Sequence, residues 1–166
     1  VLTLAGGKPR MSAISEHCRR SPEFICQALA QLKSSLLDDG NNAGTFVKDE
    51  RLKAAVLAAP GLGFAFDAES LSDVRIPIQT WSGDRDETVP SATNTDQIAK
   101  GLGTLAETHS IPNASHFSFL QPCGLIRPEP FCTDPEGFDR VAAHKAMNAE
   151  VVEFFDSHMP PSSQRN

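Results

Sequence analysis

Ile76-Pro77-Ile78-Gln79-Thr80-Trp81-Ser82-Gly83-Asp84-Arg85-Asp86-Glu87-Thr88-Val89-Pro90 decides how the chain is read. Its first part, Ile76–Trp81, is apolar and β-leaning, and it stops at Gly83, where a turn carries acidic residues. A second β-leaning run, Thr108–Ile111, ends in the turn Pro112-Asn113-Ala114-Ser115 and delivers His116. An acid and a histidine, each just past a strand, are two of the three members of a nucleophile–base–acid relay. A carboxylate on such a turn accepts a hydrogen bond from an imidazole, fixes its tautomer and stabilises the imidazolium that forms. Asp86 is the candidate acid and Asp84 its rival on the same turn. His116 lies between Ser115 and Phe117-Ser118-Phe119, where partial desolvation is expected, and imidazole is the side chain type that suits a general base near neutral pH. Solvated charged turns and hydrogen-bonded loop histidines are the ordinary alternatives. Their joint occurrence at successive strand ends, thirty residues apart (116 − 86), favours the relay.

Outward from this stretch, strands alternate with helices. Ala54-Ala55-Val56-Leu57-Ala58-Ala59 is a continuous apolar run between charge and Pro60-Gly61, the pattern of a strand covered on both faces. Ser91 or Ala92 through Lys100 predicts a helix closed by Gly101. Upstream, Val1–Ala5 reads as the end of a buried helix stopped by Gly6-Gly7, and Met11–Arg20 as a short helix. Ser21-Pro22-Glu23 predicts a helix start, followed by apolar Phe24, Ala28, Leu32 and Leu36 at helical spacing. Asp38 to Asn42 predicts a polar loop. Downstream, Gln121 to Gly137 is an irregular, proline-rich excursion. Phe138–His158 predicts the longest helix, with Ala143, Met147, Val151 and Phe154 on one face. The expected organisation is a single domain over residues 1–159 with a flexible tail at 160–166. The order helix, β, β, α, β, α argues an α/β fold with a mostly parallel sheet flanked by helices, in which ligand chemistry collects at the carboxyl ends of strands.

The 166 residues are 40% hydrophobic and 22% charged, with net charge −6, enough for one globular domain with a real core. No basic cluster points to nucleic acid, and no apolar run is long enough for a membrane span. Two glycine patterns invite a nucleotide reading and fail it. Gly61-Leu62-Gly63 is followed by Phe66 where the third glycine belongs, and Gly101-Leu102-Gly103 follows a helix rather than a strand. No cofactor is therefore expected. Cys18 and Cys26, and Cys123 and Cys132, form two local pairs without metal-ligand spacing. They are either small buried residues or two loop-closing disulfides, and their proline- and glycine-bearing surroundings tilt toward disulfides. That reading slightly favours an oxidising, periplasmic or secreted, location.

Gly83-Asp84-Arg85-Asp86-Glu87-Thr88-Val89-Pro90 followed by Asn113-Ala114-Ser115-His116-Phe117 resembles the acid and histidine motifs of α/β-hydrolases. The nearest group is the dienelactone-hydrolase-like and platelet-activating-factor-acetylhydrolase-like esterases. The resemblance runs from about Arg51 to His158, with Ser115 where glycine is commoner. It implies that Asp86 and His116 are the acid and base of a serine esterase acting on a small or short-acyl ester or lactone. It also implies that this is the C-terminal part of the fold. In such folds the serine sits in a G-x-S-x-G elbow, which this chain lacks. The elbow is expected upstream of Val1, on the same chain or on a companion chain carrying the N-terminal half, and this stretch alone is expected to be inactive. Gly61, Phe64, Phe66, Phe117 and Phe119 are candidate pocket residues, with ordinary core packing as the alternative for the phenylalanines. The competing functional reading is a non-catalytic fragment or a degenerate hydrolase fold used for binding.

Overall fold

Three parallel strands form the sheet: β1 (Ala55–Ala58), β2 (Ile78–Gly83) and β3 (Ala106–Ile111), in the order β1-β2-β3. The computed structural model describes residues 1–21, 23–38, 46–126 and 128–159. The readings made for Pro22, for most of the loop Asp38–Asn42 and for the tail 160–166 lie outside them. Ile78 pairs with Ala55 on one side and Ala106 on the other, and Trp81 pairs with Ala58 and His109. β2 is buried at all of its positions, as a central strand covered on both faces must be. β1 is not covered on both faces as its apolar run suggested. Ala55 and Leu57 are buried, whereas Ala58 is exposed. An unbroken apolar run shows that a strand tolerates burial, not that two layers cover it. β3 is the more polar flank, with Glu107, Thr108 and Ser110 exposed.

The core lies between this sheet and the segments on one side of it. Leu57, Ile78, Leu71, Val74, Ile98 and Leu102 share one cluster with Leu2 and Ala5. The helix α3 (Thr95–Leu102) connects β2 to β3 and buries Thr95, Ile98 and Leu102, a helical period that sets one face on the sheet. Burying Ile98 contributes about 1.5–3 kcal/mol. Gly101 lies within α3 rather than ending it. The terminator is Gly103, whose φ of 58° is left-handed and costs a residue without a Cβ little.

Val1–Ala5 is a turn with one helical bond, Ala5 N to Val1 O at 3.0 Å, and it ends at Gly6-Gly7 as expected. Gly7 N donates to Leu2 O at 2.8 Å and Gly6 N to Thr3 O at 3.1 Å, the bond pair that closes helix C-termini, here closing a single turn. Helices α1 (Ser12–Arg20) and α2 (Phe24–Gln31) follow. The stripe Phe24, Ala28, Leu32 and Leu36 is not the buried face: Phe24 is 59% and Leu32 78% exposed. Cys26 and Leu29 are buried instead. The Cys18–Cys26 disulfide draws that face onto α1, and Lys33, with φ 49°, ends the helical register before Leu36. Both cysteine pairs are bonded, the second being Cys123–Cys132. The last helix, α4 (Arg140–His158), is capped by Asp139, which accepts from Ala142 N at 3.0 Å. Its inner face is the expected one: Ala143, Met147 and Val151 are half-buried and Phe154 is buried. Among the described residues no helix is long and apolar enough to cross a membrane.

Candidate functional site

Parallel strands place their carboxyl ends on one edge of the sheet, so the loops after β1, β2 and β3 meet there. The loop after β2 begins at Gly83. A Cβ at that position would lie 2.3 Å from the Ala114 carbonyl oxygen, so only glycine allows the β2 and β3 loops to close on each other. Arg85 N donates to Ala114 O at 3.1 Å and Asp84 N to Ile111 O at 3.3 Å across that contact. Asp84 Oδ1 accepts Asn113 N at 2.6 Å. The rival acid therefore ties two loops together and does not meet a histidine.

Asp86 does. Its Oδ2 accepts a hydrogen bond from His116 Nδ1 at 2.9 Å. Its Oδ1 accepts the Val89 and Thr88 amides at 2.7 and 3.0 Å. The Asp86 side chain is 1% exposed and that of His116 27%. The spacing Asp-x-Thr-Val-Pro folds back on its own carboxylate, a local Asx turn that fixes the oxygen facing the imidazole. With Nδ1 engaged, Nε2 is the ring nitrogen open to a ligand, and it makes no hydrogen bond among the described residues.

The turn that carries His116 is braced from below. Ser115 N donates to Ser118 Oγ at 3.1 Å, and Ser118 Oγ donates to Asp134 Oδ1 at 3.0 Å. Arg140 grips Asp134 with Nε and Nη2, at 2.9 and 2.8 Å, and donates Nη1 to Phe131 O at 3.0 Å. Arg140 is nearly buried, and a guanidinium there needs such a two-point partner. His144 Nε2 donates to Ser118 O at 2.8 Å. A second buried network stands across the site. Glu23 accepts His17 Nε2 at 2.9 Å and Thr93 Oγ1 at 2.6 Å on Oε1, and Asn94 Nδ2 at 3.3 Å on Oε2. His17 stacks on Phe64 with centroids 3.8 Å apart.

Between these supports lies a cavity of about 670 Å³. His116, Phe117, Gly61, Phe24, Val89 and Phe131 are among its walls. Of the expected pocket residues, Gly61 and Phe117 line it. Phe64, Phe66 and Phe119 do not. Phe64 is taken up by His17, Phe66 packs on the core, and Phe119 ends the turn after His116. The contributions of Phe24, Leu62 and Phe131 were not expected, since a helix start and a disulfide-closed excursion give no local sign of facing His116. Among the described residues no group of three or more His, Cys, Asp or Glu is placed to hold a metal. The chain has no significant match among protein-family models or curated proteins.

Proposed function

We propose that this chain carries the acid and base of a serine-type hydrolase with the α/β-hydrolase architecture, acting on a carboxylic ester or lactone. The observation that supports this reading is the 2.9 Å contact between Asp86 Oδ2 and His116 Nδ1, with the histidine on the wall of an apolar cavity at the carboxyl edge of a parallel sheet. The motif resemblance to dienelactone-hydrolase-like and platelet-activating-factor-acetylhydrolase-like esterases points the same way.

In the proposed reaction a serine hydroxyl, which the assigned residues of this chain do not supply, loses its proton to His116 Nε2 as its oxygen bonds to the ester carbonyl carbon. Asp86 holds the imidazole with its proton on Nδ1 and stabilises the imidazolium. The imidazolium protonates the departing alkoxide as the ester C–O bond breaks. Water repeats the sequence on the acyl-enzyme and releases the acid. Two backbone amides and the imidazole occupy the Asp86 carboxylate and fix the oxygen that faces His116.

The test uses the full-length protein and a fluorophosphonate that labels activated serines. Labelling is expected, together with hydrolysis of p-nitrophenyl esters. Asp86→Asn is expected to lower turnover by up to ~10⁴, as in other triads. Asp84→Asn is expected to retain most of it. Loss of turnover in Asp84→Asn alone would overturn the acid assignment. No labelling and no hydrolysis would replace the hydrolase reading with that of a binding module.

A further inference from the structure

The cavity beside His116 has a chemistry of its own. Its walls include Phe24, Ile25, Leu62, Val89, Phe117 and Phe131. The rings of Phe117 and Phe131 meet edge to face with centroids 5.0 Å apart, and Phe117 meets His116 likewise at 5.5 Å. No lysine or arginine is among its described lining residues. Glu23 reaches the wall, but its oxygens are taken by His17, Thr93 and Asn94. Asn94 is likewise committed, its Oδ1 accepting Gly63 N at 2.9 Å. Those polar groups are therefore committed, and a carboxylate placed along the wall away from His116 would lose its hydration without gaining a lysine or arginine partner. The volume, about 670 Å³, is that of a site for a group much larger than acetyl.

We propose that this cavity binds an uncharged apolar chain of medium length, the acyl part of a neutral ester, and rejects short acyl groups and chains that end in a carboxylate. The proposal rests on the hydrolase reading for the word ester, and on the cavity alone for the chain. Phe24, on α2, and Phe131, in the Cys123–Cys132 loop, are the wall residues expected to set the preference. Each methylene buried along the wall is expected to raise affinity about three- to fourfold, the equivalent of about 0.8 kcal/mol.

The experiment measures binding of unreactive amides to the full-length protein by calorimetry, beside turnover of the matching p-nitrophenyl esters. Acetamide, octanamide and suberamate, the octanamide-length chain ending in a carboxylate, are compared. Octanamide is expected to bind at least tenfold more tightly than either of the others. Phe131→Ala is expected to weaken octanamide by roughly tenfold, and Phe131→Leu by less, because leucine restores part of the apolar area. Equal affinities, or suberamate tightest, would overturn the proposal whether or not any ester turns over. Octanamide binding with no ester turned over would support the cavity assignment and count against the hydrolase reading alone.

Discussion

Asp86 and Asp84 share one turn, yet their carboxylates serve different neighbours. Asp84 accepts the Asn113 amide and holds the β2 and β3 loops together, while Asp86 folds onto Thr88 and Val89 and turns one oxygen to His116. The distinction makes a prediction readable without any substrate. In the native chain Asp86 accepts from His116, so the ring proton sits on Nδ1. In Asp86→Asn, Oδ1 keeps the two backbone amides and Nδ2 becomes a donor to Nδ1, which drives the proton to Nε2. Nitrogen-15 NMR of the His116 ring is expected to report that tautomer exchange, with no such change in Asp84→Asn. An unchanged Nδ1–H signal in Asp86→Asn would show that the contact does not orient the ring. The two residues of this pair were legible from sequence because each follows a strand, a local cue. Glu23 and Arg140 were not. Glu23 meets Thr93 across 70 residues of chain, and nothing in Ser-Pro-Glu separates a helix-start acid from a buried acceptor.

At the scale of elements, the same split recurs. Strand positions followed from apolar or β-leaning runs, and α4 from its helical period, because each signal is contained within its own segment. The apolar period of α2 marks a helix but not its buried face: Cys26 is tied to Cys18, and Phe24 lines the cavity. Each disulfide closes a short loop, with partners 8 and 9 residues apart, and each loop supports a cavity wall, Phe24 and Ile25 in one case and Pro130 and Phe131 in the other. Closing loops of this length stabilises the fold by roughly 2–3 kcal/mol per bridge in the chain-entropy account. The hydrogen bonds that hold Asp86 to His116 and to its own turn involve neither bridge. Reduction is therefore expected to speed amide hydrogen exchange at Phe24, Ile25, Phe131 and Cys132 while leaving the His116 tautomer in place. Loss of that tautomer on reduction would mean that the walls, and not the strand-end turns, hold the acid and the imidazole together.

The whole molecule carries six more negative than positive formal charges, and several carboxylates depend on folded partners for their low affinity for protons. Glu107 is held below the ordinary glutamate range first by the hydrogen bond from Gln79 and then by that from His109. Asp67 is held down mainly by the Ser70 backbone amide, and Asp73 by the Lys8 ammonium. Lowered values mean that the unfolded chain takes up protons before the folded one does. The stability they contribute is complete above the ordinary carboxylate range and is lost as pH falls through the lower folded values. Unfolding by denaturant is therefore expected to become easier below about pH 5, with little change from there to pH 7 on account of these groups. Glu107 gives the sharpest test, because it joins two strands. Gln79 of β2 donates to it at 2.7 Å, Trp81 donates to Gln79 at 2.8 Å, and His109 of β3 stacks on Trp81. Glu107→Gln keeps an acceptor for Gln79 and removes the charge. The side chain is 46% exposed, so solvent screens the effect to below about 1 kcal/mol at pH 7. The variant is expected to match the native chain in strong acid, to fall short of it near neutrality and to show a shallower dependence between. Identical pH profiles for the two proteins would mean that the network joins β2 to β3 through its hydrogen bonds alone, with the charge on Glu107 contributing nothing to the sheet.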